Sequence, residues 1–161
     1  MAADINIIVD RINEYLDKFQ IKGKIIMHEM PDTGYVVVYN ISENTVNNDF
    51  DVNSYKAMTN NIAICESDLF DYEHSYTTRE KRSEDDDHSF FVDKKEFKQM
   101  IDHGQMISWF SVGNTTNYGI AYQSIDTVLN QGKCCVLSSL NQTELNKVKD
   151  RYSVIEVICG I

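Results

Sequence analysis

Two runs, CCVLSS at 134–139 and VIEVICGI at 154–161, set apolar side chains at consecutive positions and alternate almost nowhere. A strand with one wet face reads as an apolar–polar alternation. A strand that reads as a nearly continuous apolar run is covered on both faces, which is the habit of parallel sheets sandwiched by helices. YVVVYN at 35–40 adds a third β-rich run, and KIIMHEM at 24–30 a fourth. Pro31-Asp32-Thr33-Gly34 stands between these last two, and its turn chemistry predicts a hairpin or a tight connection between strands. Helical spacing fills the intervals. Ile5, Ile8, Ile12, Tyr15, Leu16 and Phe19 recur at three and four between Asp4 and Phe19. DKKEFKQMIDH at 93–103 puts Phe97, Met100 and Ile101 on one face and stops at Gly104. Ser124–Leu129 repeats the pattern and ends near Gly132, residues 52–64 are weakly helical, and 43–53 reads as a polar, acidic loop. Strands separated by short helices predict an α/β layer with a parallel sheet.

Length and charge narrow the function classes. A chain of 161 residues with 42% apolar and 11% aromatic content is globular and sized for one core. A formal charge of −10 argues against nucleic acid as the main partner, because that binding draws its affinity from Lys and Arg neutralising phosphates. Any anion site is therefore a local basic island. MAADINIIVD shows no basic n-region or uninterrupted apolar stretch, and no run approaches the roughly 18 apolar residues of a membrane span. A cytoplasmic protein is expected. Cys65, Cys134, Cys135 and Cys159 have neither the CxxC pairs of a zinc site nor the density of a disulfide scaffold, so reduced and mostly buried thiols are expected. The four histidines share no ligand spacing, and no metal or other cofactor is expected.

The basic island is found in HSYTTREKRSEDDDHSFFV at 74–92. By itself this run reads either as a solvated loop or as a pocket in which a serine, threonines and two arginines three residues apart surround a phosphate. A guanidinium forks bidentately onto phosphate oxygens, and hydroxyls and backbone N–H groups complete the shell. The order of motifs decides between the two readings: S-x-T-T-R-x-x-R, an acidic residue, F-V, a helix, x-N-Y-G, a helix, then G-K-x-C-x-L. This set resembles the nucleoside-monophosphate-binding half of guanylate kinases and of the guanylate-kinase-like domains of membrane-associated scaffold proteins, over roughly Ser75 to Ile161. The resemblance implies a P-loop-NTPase-like α/β fold. It also implies that Ser75, Arg79, Arg82 and Tyr118 bind a phosphate or its surroundings, with Glu84 or Asp85 on the base side.

Departures from the family pattern shape the expected function. Ser89 stands where a phosphate-binding tyrosine is expected, and Ser108 where a glutamate would pair with guanine. Ile120 replaces a small polar residue, and Ser138 and Leu140 replace two aspartates near the metal and substrate. No G-x-x-x-x-G-K-[ST] occurs; its nearest structural equivalent is YVVVYNISENTVNN, which carries Asn and Glu where glycines and lysine would stand. The organisation expected is residues 1–48 as an N-terminal helix plus a β-hairpin or degenerate first strand, and 49–161 as a partial guanylate-kinase-like domain, truncated at its C-terminus. The function expected is a non-catalytic binding module for a phosphate-bearing ligand: a phosphorylated or acidic peptide, or GMP. The alternatives are a guanylate kinase that needs a missing or partner-supplied ATP site, and a purely structural interaction domain.

Overall fold

The computed structural model describes residues 4–43, 50–83 and 88–161. Among them lie five helices and two sheets, in two compact units: Met1–Tyr72 with Leu129–Ile161, and Glu73–Val128.

The first unit holds α1 (Ile5–Lys18), β1 (Gly23–His28), β2 (Tyr35–Ile41), α2 (Val52–Cys65) and β3 (Phe70–Tyr72). Its sheet order is β1-β9-β2-β8-β3, where β8 and β9 (Cys134–Ser138 and Ser153–Cys159) come from the end of the chain. The four strands β9, β2, β8 and β3 are parallel, and β1 adds an antiparallel edge. Their apolar continuity now has its cause. Val37, Tyr39, Val136, Ile155 and Val157 join Ile8, Ile12 and Leu16 of α1 and Met58 and Ile62 of α2 in one core, while Val36, Val38, Leu137 and Val154 are also buried. Both faces of β2 and β8 are therefore dry over most of their length, as the unalternating runs require, while on β9 the Val154 face continues into half-buried Glu156 and Ile158.

Of the two connections open to Pro31–Gly34, the structure takes the tight one. β1 and β2 do not pair with each other as a hairpin; both flank β9. The turn is fastened to the start of β9 instead: Met30 N–H donates to Ser153 Oγ at 2.9 Å, and Ser153 N–H donates to Thr33 Oγ1 at 2.8 Å. Asp32 takes the turn's left-handed position, with φ of 61°. These side-chain bonds join groups 120 or more residues apart in sequence, so no local signal announces them.

One helix is absent from the sequence reading. α5 (Gln142–Lys149) starts at a full capping box, in which the Asn141 side chain accepts from Glu144 N–H at 2.8 Å and Glu144 Oε1 accepts from Asn141 N–H at 2.9 Å. N-x-x-E ahead of Leu145 and Val148 was the available signal.

Burial sorts the cysteines. Cys134, Cys135 and Cys159 are buried and Cys65 is exposed, all as free thiols. Loss of hydration pushes the thiols of Cys134 and Cys159 up to about 12, far from the thiolate form that alkylates. Native protein treated with iodoacetamide should take up one label, at Cys65, and unfolded protein four, as read by mass spectrometry. Labelling of Cys134 or Cys159 in the folded chain at a rate matching Cys65 would contradict this core.

The second unit carries the other sheet, order β5-β4-β7-β6, with β4 (Tyr76–Thr77), β5 (Phe90–Phe91), β6 (Met106–Val112) and β7 (Thr116–Ala121). β6 and β7 form an antiparallel hairpin turning at Gly113, whose φ of 60° suits glycine. β4 runs antiparallel to β7 and parallel to β5. α3 (Lys94–Asp102) is capped by Asp93, which accepts from Glu96 N–H at 2.7 Å, and it buries Phe97 and Met100. These two meet Met106 and Ala121, with Tyr76, Val92 and Ile101 around them. α4 (Tyr122–Leu129) follows β7.

Candidate functional site

The pairing registers decide which side chains share a face. Tyr76 lies opposite Gly119 and beside Phe90, while Thr77 lies opposite Tyr118 and beside Phe91. Successive side chains of a strand point to opposite sides. The Tyr76 face belongs to the core under α3. A Cβ on Gly119 would sit 2.9 Å from the Met106 sulfur and 3.0 Å from the Phe97 ring, so only glycine lets α3 come this close. Tyr118 is thereby turned to the far side.

On that far side Tyr118 stacks against Phe110, ring centroids 5.6 Å apart, and the Arg79 guanidinium lies over the Phe91 ring at 5.0 Å. Alternation extends the face to Ser108 and Ile120, which pair two positions along from Phe110 and Tyr118, and to Ser75 just before β4. Ser75, Arg79 and Tyr118 are half-buried, and Arg82 is exposed in the segment leading away from β4. Arg79 also donates from Nη1 to the Glu80 carbonyl at 3.1 Å. Glu84 and Asp85 lie outside the described residues.

The two threonines of the TTR motif do different work from the hydroxyl-pocket role expected of them. Thr77 is fully buried; its Oγ1 donates to the Asn117 carbonyl at 3.0 Å and accepts from Arg79 N–H at 3.2 Å. Thr78 N–H donates to the same carbonyl at 3.1 Å, and Thr78 Oγ1 accepts from Asn117 N–H at 2.9 Å. Ser111 Oγ and Asn117 Oδ1 are bonded at 2.5 Å. The hydroxyls are braces that fix the backbone carrying Arg79 against the strand carrying Tyr118. In T-T-R and N-Y-G, then, Thr77, Thr78, Asn117 and Gly119 hold the geometry, and Arg79 and Tyr118 are left to face outward.

Sequence reasoning did not single out Phe110. Its signal is a register, Phe110 opposite Tyr118, that only appears once β6 and β7 are paired. With Ser108 half-buried beside it, this part of the face offers a ring and a hydroxyl to whatever sits on it.

A family model for guanylate kinase matches residues 53–157. The chain belongs to the guanylate kinase family. The match covers all but the first residue of α2, then β3, the whole of the second unit, β8, α5 and most of β9. Among solved structures, this guanylate kinase family member is similar to the crystal structure of guanylate kinase from Anaplasma phagocytophilum, at 16% identity and a TM-score of 0.43, covering 81% of this chain and 61% of that one. The chain thus spans less than two thirds of that protein's length. Comparison with curated proteins finds no match. No helix among the described residues is long and apolar enough to cross a membrane.

Proposed function

We propose that this member of the guanylate kinase family is a non-catalytic binding module, and that Ser75, Arg79, Arg82 and Tyr118 hold the phosphate of a phosphorylated peptide in the cytoplasm. The observation that supports it most is the sheet face on which the Arg79 guanidinium, stacked on Phe91, lies on the same side as Tyr118. A planar guanidinium carries its five N–H donors in a fixed fork that matches phosphate oxygens, and a phenol beside it supplies a further donor. In a chain of charge −10 such an arrangement is a local exception that selects for an anion by geometry, because the overall field opposes it. Glu84 and Asp85 would meet the rest of the ligand, and Phe110 beside Tyr118 supplies apolar surface for the residues next to the phosphate. A peptide uses such a surface directly, whereas a guanine edge asks for the carboxylate that Ser108 lacks.

Catalysis is not part of this reading, because phosphoryl transfer from ATP rests on a phosphate-cradling loop, its lysine and a Mg²⁺-binding hydroxyl, and the sequence has no G-x-x-x-x-G-K-[ST]. The test is a calorimetric titration of the full chain with a phosphoserine peptide, its unphosphorylated twin and GMP, together with an assay for ADP from ATP, GMP and Mg²⁺. Binding of the phosphopeptide but not its twin, with no ADP formed, is expected. Turnover of GMP, or a peptide affinity indifferent to the phosphate, overturns the proposal.

A further inference from the structure

His74 and His88 share no motif spacing, yet the pairing of β4 with β5 makes them neighbours. That parallel register sets Tyr76 beside Phe90 and Thr77 beside Phe91, and carried back two residues it sets His74 beside His88. The imidazole rings follow, with centroids 4.2 Å apart and planes tilted by 31°, and Phe90 closes one side with its centroid 6.1 Å from that of His74. Ring nitrogens of the two residues lie within 4.8 Å of each other. Metal–imidazole bonds of about 2.0–2.1 Å bridge two nitrogens up to about 4 Å apart, so a modest rotation of the exposed His88 ring brings both onto one ion.

We propose that His74 and His88 form a two-imidazole site for a borderline divalent cation, Zn²⁺, Cu²⁺ or Ni²⁺, with water completing the coordination. Neutral imidazole suits this class of ion, while Mg²⁺ and Ca²⁺ prefer oxygen ligands. The charge of −10 raises the cation concentration around the chain. The site has a structural consequence of its own. β4 and β5 pair over only two residues each, helped by Phe90 N–H to the Ser75 carbonyl at 2.8 Å and Val92 N–H to the Thr77 carbonyl at 3.0 Å. An ion held by one histidine ahead of each strand clips this short ladder and steadies Ser75 at its open end.

The experiment is a calorimetric titration of the full chain with ZnCl₂ under a non-thiol reductant, using wild type, His88→Ala, His74→Ala and, as a control elsewhere on the same unit, His103→Ala. Electron paramagnetic resonance of the Cu²⁺ form accompanies it. His88 is exposed, so its replacement leaves the core intact, and circular dichroism checks this. One ion per wild-type chain is expected, weakened about tenfold or more in His88→Ala and in folded His74→Ala. His103→Ala should bind as wild type does, and the Cu²⁺ spectrum should show two nitrogen ligands. Absence of binding in wild type, a smaller loss in His88→Ala, or a Cu²⁺ spectrum without two nitrogens overturns the site.

Discussion

Phe97→Ala should lower the unfolding free energy by about 3–5 kcal/mol, the range for truncating a large buried aromatic ring. Phe97 is 2% exposed and is the bulkiest member of the small core between α3 and its sheet, with Met100, Met106 and Ala121 as neighbours. A core of so few side chains has little to collapse into the space left behind, so the cavity term adds to the lost transfer energy. The position is sensitive in the other direction too. Gly119→Ala would drive a methyl group to within 3.0 Å of the Phe97 ring and 2.9 Å of the Met106 sulfur, an overpacking that costs about 1–3 kcal/mol. Trp109, the single tryptophan, stands in β6 of the same sheet and reports unfolding of this unit by its fluorescence in urea. A loss below about 1 kcal/mol for Phe97→Ala would mean that α3 does not hold the sheet as described.

This packing also explains what was readable in the chain and what was not. Helices α1, α2, α3 and α4 were legible because apolar residues repeat at three and four along them, and the parallel strands β2, β8 and β9 because burial removes polar residues from most of the run. β3, β4 and β5 were not, since two or three residues carry no period. α5 has only eight residues and a mostly polar face, so its cap was a stronger signal than its pattern. Of the candidate site, the motif order named Ser75, Arg79, Arg82 and Tyr118, but it could not separate side chains that face a ligand from those that brace the frame. Thr77 and Asn117 are 40 positions apart, and their bond is a product of tertiary pairing. The stack of Phe110 on Tyr118 and the pair His74–His88 are invisible for the same reason, because a cross-strand register has no counterpart in linear spacing.

Arg79→Met should weaken binding of the phosphopeptide probe by about 10- to 150-fold, the equivalent of the roughly 1.5–3 kcal/mol carried by hydrogen bonds to a charged group. Methionine keeps much of the stem's volume over Phe91 while deleting the charge and the N–H fork, so folding should be nearly unchanged and thermal unfolding should show it. Arg79→Lys separates the two contributions. It retains a cation but not the bidentate geometry or the ring stacking, and its affinity should fall between wild type and Arg79→Met. Raising the salt concentration should weaken wild type more than Arg79→Met, since screening acts on a charge that the variant no longer has. Ser75→Ala, which removes one neutral hydroxyl donor, should cost about 0.5–1.5 kcal/mol. Thr77→Val should act differently from all of these: its hydroxyl binds Asn117 and the Arg79 backbone, so stability falls first and affinity only as the frame loosens. Equal affinity in wild type and a folded Arg79→Met would remove the guanidinium from the ligand site. The Phe110 and Tyr118 rings would then be the part of this face that a partner uses.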